Sequence, residues 1–431
     1  MTARTLIGAM LALGLLAACG EEDIILPGER FDVRPTAVVA NQALPVGLPQ
    51  ARVNAAWTHR NGGPGHQITH PALAATLVPA FVAEIGEGDS RRARITSEPV
   101  VEDGVIYTVD ARATVAATDT NGQRLWSRSL ASTRDGAGDA SGGGVSVGGG
   151  QVYVTTGFGE ITALDATTGQ VRWVQDLDAP VTAGPTLRGD LVYVVSRDST
   201  AWALQTSNGR ISWQRSGTPS EANFGGGAAP AVLGEHAIFP FPSGEVAATF
   251  PRGGLPRWST VISGDRLGRA ASLINDIAGD PVIAGDRVYI SNFGGRTVAL
   301  DLDDGGRIWT AAEGAIGPVW PVGNAVFLIN DINELVRLDA GSGASVWRIA
   351  LPKFDEGDTV RQRSIFAHYG PVLAGGRLIV SSSDGLIRQF DPASGAQLDT
   401  LELPGGAASA PVVAGETLYV VSKTGQLHAF R

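Results

Sequence analysis

Cysteine occurs once in the 431 residues, at position 19, so the chain can form neither an internal disulfide nor a cysteine-built zinc site. Basic residues are outnumbered: 33 Lys and Arg against 43 Asp and Glu leave a net charge of −10. An acidic chain has little with which to neutralise phosphates, which argues against nucleic acid as a partner. It also has no electrostatic reason to adhere to anionic lipid. Charged residues are only 18% and aromatics 6%, and no run approaches the ~18 apolar residues of a membrane span. Glycine is abundant instead, 57 residues, nearly double the usual ~7%. With 43% hydrophobic residues, this is a turn-rich chain that is neither disordered nor a coiled coil.

The first residues read MTARTLIGAMLALGLLAACG. Arg4 gives a positive start, and residues 6–18 form an apolar run of 13. That is too short to cross a bilayer, which takes about 20 residues, and it matches the core of a secretory signal peptide. Leu16-Ala17-Ala18-Cys19 resembles the bacterial lipobox, which implies removal of residues 1–18 and lipidation of Cys19. Gly20 follows where proteobacterial sorting signals place Asp for inner-membrane retention. The resemblance therefore implies a lipid-anchored protein at the periplasmic face of the outer membrane. Residues 19–50, with Glu21, Glu22, Asp23 and four prolines, read as a flexible tether.

Internal repetition dominates the remainder. GGGQVYVTTGFGEITALDATTGQVRW ends at Trp173, and AGDRVYISNFGGRTVALDLDDGGRIW ends at Trp309. The same frame recurs at Trp126, Trp213, Trp258 and Trp347; a seventh copy has Asp399 in place of Trp, and an eighth breaks off at Arg431. The short runs rich in β-branched and aromatic residues, such as Val152-Tyr153-Val154 and Val288-Tyr289-Ile290, are strands. They are apolar on both faces, as in a sheet covered on both sides. Four such strands per repeat describe a propeller blade. The expected fold is all-β, an eight-bladed β-propeller over 51–431, about 48 residues per blade. The last blade lacks its outermost strand, and residues 51–57, ending in Trp57, are expected to supply it. The glycines permit positive φ in tight turns. Asp165, Asp301, Asp339 and Asp391 precede those turns, where a carboxylate accepts backbone N–H groups. The tryptophans recur in blade after blade, which marks them as packing plates between blades.

The run Ala-Leu-Asp-x-x-Thr-Gly-x-x-x-Trp, at 163–173, is similar to the repeat of quinoprotein (PQQ) dehydrogenases and to that of the BamB family. The likeness covers nearly the whole mature chain and specifies the fold more than the function. The dehydrogenase resemblance implies a calcium–quinone site in the central channel, a catalytic Asp and usually a vicinal disulfide. A single cysteine cannot make that disulfide, and no Asp/Glu/Asn cluster stands apart from the repeat. The BamB resemblance implies a scaffold without a catalytic set, no cofactor and no metal. Its expected partners are a POTRA domain of BamA, other Bam subunits and unfolded outer-membrane proteins. The family's two partner-binding loops match 224–230 and 273–281 here. Phe224 falls on an apolar contact and Asp276 on an acidic one, whereas Gly225 and Ala278 depart from the pattern; Arg266 and Arg269 are nearby candidates for a substitute charge. A glycan-binding propeller is a further alternative.

Other motifs carry less. His66 and His70 have metal-ligand spacing, but Gly62-Gly63-Pro64-Gly65 disfavours a helix there. The glycine-rich run 136–150 lacks the ending of a phosphate loop and reads as a flexible loop. Asp301, Asp303 and Asp304 are too short a string for a calcium loop. Phe239-Pro240-Phe241-Pro242 reads as a local bulge or an irregular loop.

Overall fold

Runs bounded by glycine turns become strands, and the strands hydrogen-bond into eight antiparallel sheets of four. The computed structural model describes residues 40–131, 143–220, 227–264, 266, 274–354 and 365–431. Blades 1 to 7 span 100–129, 145–176, 186–216, 231–261, 279–311, 320–350 and 368–402. Blade 8 takes its first three strands from 412–430. In blades 1 to 7 the strands follow chain order from the axis outward, and first strands of successive blades pack on one another. The second and third strands are buried almost throughout, as at Leu191–Ser196 and Thr200–Gln205, while fourth strands such as Arg124–Ser129 are exposed. This explains why the inner strands are apolar on both faces: each is covered by a neighbouring blade. Among the described residues no helix is long and apolar enough to cross a membrane.

The repeat's signature residues meet at one contact. Each fourth-strand tryptophan reaches across to the next blade. Its indole Nε1 donates to a turn carbonyl there: Trp126 to Ala166, Trp173 to Thr206, Trp213 to Pro251, Trp258 to Leu302, Trp309 to Ala340 and Trp347 to Pro392, at 2.8–3.2 Å. Four of these six turns are held by an aspartate, with Gln205 and Phe250 in its place in the other two; Asp301 Oδ1, for example, accepts the N–H groups of Asp303 and Asp304 at 2.9 and 3.2 Å. That settles the acidic string as a turn. The turn glycine then lies on the indole face. Gly305 has φ +73°, and a Cβ there would stand 2.6 Å from Trp258 Cδ2. Gly253 has a similar φ of +80° but open space around it. Gly253→Ala should therefore cost only the backbone term, about 1 kcal/mol. Gly305→Ala should cost about 2–3 kcal/mol more through overpacking, and denaturation midpoints of the two variants measure the difference.

Three expectations need correction. The strand that completes blade 8 is Pro79–Glu84, antiparallel to Gln426–Phe430, and not residues 51–57. Phe81 does there what tryptophan does elsewhere: its ring lies 6.4 Å from Tyr419, and a Cβ on Gly122 of blade 1 would come within 2.7 Å of it. Residues 41–49, expected within the tether, lie along the propeller instead. Gln42 N–H donates to Val346 C=O at 3.0 Å and Leu44 N–H to Ala393 C=O at 3.3 Å. Phe239 and Pro240 close a regular strand, His236–Pro240, Phe241 is fully buried beyond it and Pro242 opens the hairpin turn, so there is no bulge in the strand.

Candidate partner-binding face and the filled channel

Residues 54–71 pass across the inner ring and touch the blades in turn. Asn54 C=O accepts Gly415 N–H of blade 8 at 2.7 Å. Trp57 exchanges two backbone bonds with Val101 of blade 1, at 2.7 and 2.8 Å. Val147 of blade 2 donates to Thr58 C=O at 3.0 Å, and Leu187 of blade 3 to His59 Nε2 at 2.9 Å. Val232 of blade 4 donates to Pro64 C=O at 2.7 Å and Ile283 of blade 5 to Gly65 C=O at 2.9 Å. The donors of blades 1 to 5 occupy the same register position, opposite Ile106, Val152, Val192, Ala237 and Val288. Blade 6 has Pro321 there, which lacks an N–H; its carbonyl instead faces the Gln67 amide at 3.4 Å. In blade 7, Gly375 donates to Pro71 C=O and Gly376 to His70 Nε2, at 2.9 and 2.8 Å.

The histidines of this segment act as staples. His70 Nδ1 donates to Pro49 C=O at 2.7 Å while Nε2 accepts; His66 Nδ1 donates to Pro281 C=O at 2.8 Å. Burial, aided by nearby His66, pushes His59 down to about 3. Among the described residues no group of three or more metal-ligating side chains comes together, and His66 and His70 are spent on backbone carbonyls. Beside them, Arg60 Nε lies 3.3 Å from Glu98 and 3.1 Å from Asp280. Burial lifts the Glu98 carboxyl above its ordinary range against the pull of Arg60. The cavity next to Arg60, lined by Gly143, Gly144 and Gly184, measures about 20 Å³, room for roughly one water.

Loops leading into first strands form the opposite face, where sequence reasoning puts the partner contacts. Phe224, Gly225 and Arg269 lie outside the described residues, as do Cys19 and 136–142 of the glycine-rich run. Residues 145–148 of that run are the first strand of blade 2. Asp276 stands in the loop entering blade 5, only 3% exposed, and its carbonyl accepts Phe293 N–H at 2.9 Å. Its neighbour Asn275 is exposed. Arg266 is no spare charge: it grips Asp331 at 2.9 Å and Glu313 at 3.1 Å, and Arg348 holds the other oxygen of Glu313 at 2.9 Å. Sequence reasoning missed the channel segment. Its signal was present, since three of the six histidines fall in 58–78, a stretch that contains no repeat. Arg337 and Arg377, buried in strands otherwise apolar, were a second signal: both bond carbonyls of the N-terminal segment, at Leu44, Pro45 and Ala74.

Comparison with known proteins separates what the fold alone leaves joined. The structure resembles BamB from Moraxella catarrhalis with a TM-score of 0.68 at 18% identity, covering 83% of this chain and all of that one. It resembles the quinohemoprotein alcohol dehydrogenase of Comamonas testosteroni almost as well, with a TM-score of 0.67 at 14% identity over 88% of this chain and 81% of that one. In sequence, the outer membrane protein assembly factor BamB of Yersinia pestis is 24% identical over 99% of this chain and 98% of its own length. The family described as outer membrane protein assembly factor BamB matches residues 111–349 and 351–431. On that match the chain belongs to the BamB family of PQQ-like β-propellers.

Proposed function

We propose that the protein is a non-enzymatic scaffold subunit of the outer-membrane protein assembly (Bam) complex. In this reading it is anchored by lipid at Cys19, binds a POTRA domain of BamA and aids insertion of β-barrel proteins. The family match carries the reading. The filled hub supports its non-enzymatic part, because the chain's own Trp57, His59 and Arg60 lie where the dehydrogenase resemblance would put a cofactor. The partner face is the loop face around 224–230 and 274–278. Asp276, being buried, shapes its loop, and exposed Asn275 meets the partner. Native lipoprotein purified from detergent extracts should bring down the barrel-assembly subunits and label with fatty acid at Cys19. Asn275→Arg should cut that recovery several-fold with an unchanged melting temperature. Recovery equal to wild type would remove the loop from the interface, and absence of the other subunits from the native preparation would remove the reading itself.

A further inference from the structure

On the face opposite those loops, neighbouring blades leave a radial cleft. Its walls are the turns between first and second strands and the turn between the third and fourth strands of the following blade. The cleft between blades 6 and 7 is filled by the chain's own residues 44–48 in extended form. Leu44 N–H donates to Ala393 C=O at 3.3 Å. Asn324 clasps the backbone from both sides, donating to Pro45 C=O and accepting Gly47 N–H, each at 3.2 Å. Arg337 donates to the Leu44 and Pro45 carbonyls. A Cβ on Gly323 would stand 2.4 Å from the Gly47 oxygen, so the strand passes directly over that turn.

The cleft between blades 5 and 6 is framed by the same turns and has a volume of about 420 Å³, although Ala299 stands where Arg337 does and Arg287 donates across it to the Ala340 C=O at 2.6 Å. Gly341 stands where Ala393 does, two residues beyond Asp339 as Ala393 is beyond Asp391. Asp286 stands where Asn324 does, in the turn after Gly285, and is 87% exposed. Tyr289 replaces Phe327 on the floor. A Cβ on Gly285 would meet nothing within 4 Å, so the path that Gly47 takes next door is clear here. The cleft between blades 3 and 4 differs at its entrance: Arg252 takes the position of Gly341 and pairs across the gap with Asp190 at 2.8 Å.

We propose that the cleft between blades 5 and 6 receives an extended peptide strand of another protein, apolar and containing proline and glycine, as residues 44–48 occupy the neighbouring cleft. The Gly341 carbonyl and the Asp286 carboxylate take N–H groups three residues apart, as Ala393 and Asn324 take those of Leu44 and Gly47. Asp286, with Arg287 Nε 3.7 Å away, accepts but cannot donate. Tyr289 offers its ring to the apolar side chain between them.

The test uses the full-length protein and a fluorescent peptide with the sequence of residues 41–49. Saturable binding is expected, weakened at least tenfold by Gly341→Arg, which would recreate with Asp286 the latch that Arg252 makes with Asp190. Blade 4 shows that this turn position accepts an arginine. A benzophenone at the Val46 position of the peptide should crosslink wild-type protein at Tyr289 or Asp286. No saturable binding, binding indifferent to Gly341→Arg, or crosslinks confined to the cleft of Phe327 would each overturn the proposal.

Discussion

Trp57→Ala is expected to lower the stability of the propeller by about 3–5 kcal/mol, the range for truncating a fully buried aromatic. Trp57 is fully buried, stacks on Trp320 at 6.3 Å with 24° between the rings, and lies within a segment bonded to the inner strands of successive blades. Removing its side chain opens a cavity that backbone bonds on either side prevent from collapsing. The same truncation at exposed Leu125, in an outer strand, should change stability by less than about 0.5 kcal/mol. Urea denaturation followed by tryptophan fluorescence and by circular dichroism measures both. A loss below about 1 kcal/mol at Trp57 would mean that the segment is not docked in solution. Because Trp57 and Trp320 touch, their alanine variants should be non-additive, and a double-mutant cycle isolates the stacking contribution.

The second large effect is sensitivity to acid. His59 is held neutral at about 3 when folded, against an ordinary 6.5 when unfolded. The unfolded chain therefore takes up the proton first. The contribution is complete above pH 6.5 and is lost progressively as pH falls toward 3, amounting to on the order of 4 kcal/mol at the acid end. His66, shifted downward by burial as well, acts in the same direction, whereas Glu98, shifted upward, opposes it. The clean comparison is thus between the wild type and His59→Gln, whose side-chain oxygen can still accept the Leu187 N–H. Stability should fall less steeply between pH 6.5 and 5 in the variant. Parallel curves would show that His59 is protonated in the folded state or does not face Leu187.

Much of this architecture is legible in the sequence, and the reason is physical. Tryptophan and glycine of the repeat meet at one interblade contact, so both reappear where that contact is rebuilt, and an aspartate joins them in four of the six turns. The contact also explains the exception. Blade 8 takes its fourth strand from Pro79–Glu84, so no turn joins its third and fourth strands for a blade 7 tryptophan to rest on, and that slot holds Asp399, joined through Gln389 to Arg377. The closing strand was misassigned because Phe81 performs the tryptophan's task without its letter. The channel segment was overlooked for a different reason. It has no period, since a single strand crossing eight inner strands meets each of them only once, through whichever carbonyl or imidazole happens to fall there. Of the partner face, the buried side chain of Asp276 could not be told from an exposed one by position in a loop alone.

The path of residues 54–71 sets an order of events during folding. These residues leave the ribosome first, yet Asn54 needs Gly415 and His70 needs Gly376, which are made some 300 residues later. Until the last repeat exists, the drawstring has nowhere to tie, and neither does the strand Pro79–Glu84. Contacts so distant in sequence are slow to form. The segment can therefore meet blades 1 to 5 early, but its two ends are fastened only when the last repeats are in place.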